Sequence, residues 1–410
     1  MDAATTQAML HTLQDPTGIP SHPLIFQVLM VLTWVPHILF VNISLGAALM
    51  GLYAFTRRHD PHWQLLSEAT TKVAKVGVSL LVVLGVAPLL FTQTIYDPQW
   101  YTSNLLSAAW VIGFIFTLTI GYLAWFSFYL KNHGDHAPGW IFWLGAFGLA
   151  MFLLDGFIMH ILAYQGLHPE QWVAWYTPGG QVDMSGARIH TYELPRFGFF
   201  MAMSVTVFGA FLIAYGDYFK VRADRTPAYL AFARGLGSKI ALIGAGLQII
   251  LFLWWLADLP VDIHAWTHPM TWLLLIYLAV LTAAFWFTRT HPDGQGYKLL
   301  TLSVGMAGLV AIFREVLRMA YMAPFNYNVL DYKVHWDVPS FALFLFTIVG
   351  VGGLMGGFII TLVYKAGRVQ GPYQADSTVA RLGMGSLAAT ITWVAAFMGV
   401  GIWIWLRNNG

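Results

Sequence analysis

The sequence predicts an all-α, polytopic membrane protein with about ten transmembrane helices, and three observations predict it. First, 58% of the 410 residues are hydrophobic and only 10% are Asp, Glu, Lys or Arg, against about 25% charged in soluble proteins. Nineteen acids and twenty-one bases cannot cover a water-exposed surface of that size, which excludes an ordinary soluble enzyme, a nucleic-acid binder and a disordered scaffold. Second, the mean hydropathy is +0.64, and the apolar residues fall in continuous Leu/Ile/Val/Phe-rich runs. They lack the alternation of a membrane β-barrel, so the runs read as helices. Third, the basic residues are strongly one-sided between the runs, as membrane topology requires.

A bilayer core needs about 20 apolar residues per helix. Ten runs meet this: 24–54, 76–96, 105–130, 140–165, 197–218, 240–257, 270–287, 299–322, 341–364 and 385–406. The connections after the odd-numbered spans hold fifteen Lys and Arg, among them Arg57, Arg58, Lys72, Lys75, Lys220, Arg222, Arg225, Arg234 and Lys239. The opposite loops and the termini hold only Arg188, Arg196, Lys333 and Arg407. Both termini are therefore expected on the non-cytoplasmic side, which is the periplasmic side of a bacterial inner membrane. The first twenty residues contain no Lys or Arg and so lack the basic start of a secretory signal.

Cysteine is absent, which removes disulfides, iron–sulfur clusters, thiolate metal sites and thioether-linked haem. Fourteen His and sixteen Met remain as ligands for a metal or haem. Ionisable groups in the hydrocarbon region cost about 2.5–3.5 kcal/mol or more each, so each one needs a partner. His37 lies in the first span, Asp155 and His160 in the fourth, and Arg314, Glu315 and Arg318 in the eighth. His268 and Met270 stand at the mouth of the seventh. In "IFREVLRMAYM", spacings of three and four put Arg314, Glu315 and Arg318 on one helical face. Their excess positive charge asks for an anion; a buried ion pair completed by Asp155 is the plainer alternative. With a rise of about 1.5 Å per residue, the His, Met, Glu and Arg side chains share the outer half of the membrane. Ligands gathered around haem would do so, whereas unrelated structural polar groups would not. The loop at roughly 167–196, with Asp183, Arg188, His190 and Glu193, reads either as a packed cap or as a docking surface.

Span 1, "HILFVNISLGAALMGLYAF", is followed by a basic turn, then "KVGVSLLVVLGV" and "PQWYTSN". Span 7 reads "PMTWLLLIYLAVLTAAFWF". In this order and on these sides of the membrane, the segments resemble the large subunit of cytochrome bd-type oxidases over about residues 24–366. The resemblance implies a cytochrome bd-like haem-binding transmembrane domain over 1–366, and 367–410 as an additional C-terminal helix. It implies His37 as axial ligand of a high-spin haem, Met270 as a ligand of low-spin haem b, and Glu315 as ligand of a second high-spin haem. Arg314, Arg318 and Arg196 would pair with propionates. The cofactor would be haem b, one or more, with haem d open.

Departures from the family pattern qualify the reaction. Span 5 lacks the family's haem-ligating His, for which Met203 or His190 is the candidate substitute. Span 3 lacks the family's two glutamates, so Gln93, Asp155 and His160 are the candidates for polar or proton-conducting support. The quinol-binding loop is reduced to "DLPVDIHAWTHP". The expected donor is therefore a periplasmic redox protein such as a c-type cytochrome, docking near Asp258, Asp262, Asp331 and Asp337, with O2 as acceptor at the His37 haem. The alternatives are a non-catalytic haem b relay or anchor subunit of a larger respiratory complex, and a transporter with a buried Arg–Glu switch. Besides the lipid bilayer, a homo-oligomeric partner and a second membrane subunit are equally open, with no nucleic acid.

Overall fold

A computed structural model describes residues 1–134 and 136–409. Among these described residues fourteen α-helices follow in chain order. A short α1 (Ala3–Leu13) precedes the long α2 (Pro23–Phe55) and α3 (Pro61–Ile95). Then come α4 (Asp97–Leu106), α5 (Ala108–Lys131), α6 (Ile141–Gln165) and a single turn, α7 (Trp172–Tyr176). The remaining helices are α8 (Leu194–Tyr218), α9 (Pro227–Asp258), α10 (Pro269–Thr288), α11 (Gly296–Met322), α12 (Val338–Leu345), α13 (Gly353–Ala366) and α14 (Ser377–Asn409). Ten segments are long and apolar enough to cross a bilayer, matching the ten runs read from the sequence.

Helices outlast the apolar runs where the sequence caps them. Asp60 accepts from the amides of His62 (2.8 Å) and Trp63 (3.3 Å), with Pro61 at the first helical position. An N-cap carboxylate satisfies two otherwise orphaned donors there. The helix thus starts well before the second apolar run. Pro36 and Pro88 lie inside α2 and α3, and both helices continue through them.

The chain forms two compact units. The first comprises Met1–Pro16, Pro23–Asp217 and Ala228–Tyr332. Its central helix is α8, whose faces are buried along most of its length. Small residues let α9 approach it: a Cβ on Gly244 would stand 2.7 Å from the Thr206 hydroxyl, and one on Gly237 would stand 2.7 Å from the Gly209 carbonyl oxygen. Without a hydrophobic force between helices in lipid, such close backbone contact supplies the attraction. At one end of this bundle Asp217 accepts from the amides of Gly294 (3.0 Å) and Gly296 (2.8 Å), fixing the start of α11. Arg234 of α9 donates to the Gly216 carbonyl (3.0 Å) and meets Asp293 at 3.5 Å.

The second unit comprises Thr17–His22, Tyr218–Pro227 and Lys333–Gly410. An isolated β-bridge joins Ile19 to Val334. Tyr218 donates to the Tyr364 carbonyl (2.8 Å), and Arg222 to that of Gly367 (3.2 Å). Between α12 and α13 the backbone winds as a π-helix over Phe346–Gly352. Trp393 of α14 donates its indole N–H to the Thr347 hydroxyl at 2.6 Å.

Candidate functional site: a buried arginine–glutamate cluster

The charges predicted on one face of the eighth span form a cluster on α11. Glu315 is 6% exposed. Its Oε1 accepts from Gln27 Nε2 (2.8 Å) and from the Tyr96 hydroxyl (2.5 Å), and its Oε2 meets Arg318 Nη1 at 3.2 Å. Donors from α2, α11 and the α3–α4 junction thus converge on one carboxylate. Arg318 also lies over the Tyr96 ring, 4.5 Å from its centroid. Arg314 has no carboxylate partner among the described residues. Its guanidinium sits 4.2 Å from the centroid of Trp34 and 6.0 Å from that of Phe200. Cation–π contact of this kind offsets part of the cost of desolvation.

Arg314 and Arg318 border two small cavities. The first is shared with Tyr164, Arg196, Trp255 and Tyr321. The second lies on the α2–α3 side, with Met30, Trp34, Thr92 and Glu315. His37 is three residues beyond Trp34 on α2, and such neighbours share a helix face. Its Nδ1 lies 2.9 Å from the Leu81 carbonyl oxygen. A carbonyl can only accept, so Nδ1 carries the proton and Nε2 keeps its lone pair. The ring rests against Gly85, where a Cβ would stand 2.8 Å from its Cε1. A histidine anchored through one nitrogen to a carbonyl, with the other bare, is oriented as metal-ligating imidazoles are. The site therefore fits one axial ligand of a haem. Among the described residues no three His, Asp or Glu are grouped to hold a bare metal ion; a porphyrin needs only one or two side chains besides its own nitrogens.

The other expected residues are placed differently. Asp155 does not reach the arginines: it accepts from the Thr117 hydroxyl at 2.5 Å and leaves Oδ2 without a partner. His160 accepts the Glu193 amide on Nε2 (3.0 Å) and stacks between Phe157 and Tyr164. His190 lies near the Leu106 carbonyl (3.2 Å) and stacks on Trp175. Both rings thereby hold the ends of the 167–196 loop, much of which, from Val173 to Ile189, is exposed. Partial burial pulls the His190 imidazole below its ordinary range. Met203 is fully buried on α8, and Gln93 is half-buried on α3. Met270, in the first turn of α10, has its amide capped by His268 at 3.1 Å and borders neither cavity.

Several participants carried no signal in the sequence. Gln27 stands out only as a polar residue in an apolar run, and Tyr96, Tyr164, Trp255 and Tyr321 are indistinguishable there from ordinary aromatics. Beside Tyr96 lies a second network outside the spans. Tyr332 donates to Asp97, Tyr327 and Tyr332 share a 2.5 Å hydroxyl contact, and Tyr96 stacks on Tyr327. Burial raises the Asp97 carboxyl above its ordinary value, and it raises the Tyr332 phenol too.

No family model matches the chain, and no curated protein is similar in sequence. Its structure is similar to that of bd oxidase from Geobacillus thermodenitrificans, with a TM-score of 0.54 and 13% identity, covering 95% of this chain and 100% of that one. The fold is that of a cytochrome bd-like, multi-pass membrane protein.

Proposed function

We propose that the chain is a membrane haem oxidoreductase of the cytochrome bd kind. The observation that carries this reading is His37: a half-buried intramembrane imidazole with Nδ1 bound to a backbone carbonyl and Nε2 bare, on the same helix as Trp34, which borders a cavity walled by two arginines and a glutamate. His37 would hold the haem iron, and Arg314 and Arg318 would pair with the porphyrin's carboxylates. The haem, when bound, supplies one-electron chemistry. The chain's own part is to fix the ring of His37 against Gly85, to exclude water with Trp34, and to hold the Glu315 carboxyl group with Arg318, Gln27 and Tyr96. Electrons would enter from the periplasmic side, from a c-type cytochrome, with O2 as acceptor. A second reading, a haem relay subunit without substrate turnover, is favoured by Glu315, whose two oxygens already serve three donors.

A reduced-minus-oxidised spectrum with pyridine haemochrome and CO-difference spectra on the purified chain tests both. The expected result is b-type haem, with one signal lost in His37→Ala. CO binding supports the oxidase reading, and haem without CO binding supports the relay. Absence of haem, or an unchanged spectrum in His37→Ala, refutes the assignment.

A further inference from the structure

The first cavity, between α6, α8, α9 and α11, contains donors that no protein group uses. Arg196 is 8% exposed, and its Nη1 has no hydrogen-bond partner. Trp255 is 2% exposed, and its Nε1 has none either. Both border this cavity and not the second one. Trp255 cannot turn away to find an acceptor, because it is held by Phe199 (5.8 Å between centroids), Phe252 (6.2 Å) and Phe313 (5.5 Å). Leaving such buried donors unpaired is costly, more so for a charged group. Native interiors rarely keep two of them facing one space.

The charge balance points the same way. Arg196 borders the cavity and forms no ion pair among the described residues, while the buried carboxylate nearby, Glu315, is taken by Arg318. Glu193 is within electrostatic reach of Arg196, but it is hydrogen-bonded by Tyr164 and faces Asp258, and burial raises its carboxyl toward the neutral form. Tyr164 and Tyr321 also line the cavity, the Tyr164 hydroxyl being given to Glu193. The free volume is about 20 Å³, and about 10–15 Å³ suffices for one water.

We infer that this cavity is a binding site for one small monovalent oxyanion, of the size of formate or nitrite. One oxygen would accept from Arg196 Nη1 and the other from Trp255 Nε1. An anion with two acceptor oxygens offers each of the two donors its own acceptor, which a single spherical ion does not. The inference does not depend on haem at His37.

The test uses the full chain in detergent, with and without added haem, its haem content read by absorbance. Thermal unfolding is followed while sodium formate, sodium nitrite or sodium chloride is titrated. Formate or nitrite is expected to raise the midpoint saturably in both preparations, with chloride much weaker. Arg196→Gln and Trp255→Phe should each weaken the apparent affinity about tenfold, which is about 1.4 kcal/mol. Trp255→Phe keeps the aromatic packing and decides the matter if Arg196→Gln does not fold. No saturable response to either oxyanion overturns the proposal, and so does a response that both variants retain. A response seen without haem but abolished by it also overturns it, because a porphyrin carboxylate would then be the occupant. A chain that binds oxyanion but no haem would sink the oxidoreductase reading and leave this site standing.

Discussion

Glu315→Gln changes a charge and almost nothing in shape. The carboxylate receives Gln27 and Tyr96 on Oε1, at 2.8 Å and 2.5 Å, and Arg318 on Oε2, at 3.2 Å. An amide has one oxygen. If that oxygen keeps Gln27 and Tyr96, its NH2 faces Arg318; turned over, it faces two other donors. Either way a donor opposes a donor in a site where Glu315 is 6% exposed. Breaking one side of a buried ion pair costs about 3–5 kcal/mol. The Arg318 side chain is 17% exposed and keeps its contact with the Tyr96 ring, so about 2–3 kcal/mol is expected here. Arg318→Met alone should cost a similar amount, by stranding the carboxylate. The double variant removes both charges, so its loss should fall short of the sum by about 1–3 kcal/mol. Thermal unfolding in mild detergent, followed by near-ultraviolet circular dichroism, measures all four corners of the cycle. Losses that add to within about 0.5 kcal/mol would show that the pair is not energetically coupled and would refute the reasoning.

Further expectations can be checked in the same preparations. The folded Asp97 carboxyl titrates above its ordinary 3.8, so the folded state holds its proton longer than the unfolded one does. Its contribution to stability is present below 3.8 and is lost as pH rises through the folded value. Asp97→Asn should flatten that slope while lowering stability throughout, because the single oxygen of the amide cannot replace both carboxyl oxygens, one accepting from the Asp15 amide at 2.8 Å and the other from Tyr332. Unfolding midpoints from pH 3 to 8 read both effects, and an unchanged slope counts against the assignment. Gly244→Leu should separate α9 from α8 and cost about 3 kcal/mol or prevent assembly, since a side chain there meets the Thr206 backbone. A yield and melting point equal to the parent would contradict this packing. Met270→Leu should remove a low-spin haem band if Met270 ligates iron, and leave the spectrum unchanged if it only begins α10.

The number, order and type of the spans were legible because the bilayer demands long uninterrupted apolar runs, and these ten runs have little else in them. The pairing of Glu315 with Arg318 was legible too, since a spacing of three fixes neighbours on a helix. What joined the pair was not legible. Gln27 and Tyr96 come from segments 288 and 219 residues away from Glu315, and only tertiary packing brings them in. Asp155 read as a counter-ion for the arginines, yet it bonds Thr117 of the adjoining helix, because its position on α6 faces α5. The break between α4 and α5 at Ser107 was hidden for a different reason. The apolar run starting at residue 105 crosses it, and the Ser107 hydroxyl is taken up by the Arg188 carbonyl at 2.9 Å, which no local pattern announces.

The wide winding at Phe346–Gly352 sets the azimuth of everything after it in the ninth span. A π turn absorbs about one residue more than an α turn, and one residue corresponds to about 100° of rotation. The half of the span that follows therefore presents a different set of side chains to a given neighbour than an unbroken α-helix would. Deleting one residue from this stretch would let the hydrogen-bond ladder relax to regular spacing. It would also swing α13 around its axis, pulling the Tyr364 and Gly367 carbonyls away from Tyr218 and Arg222.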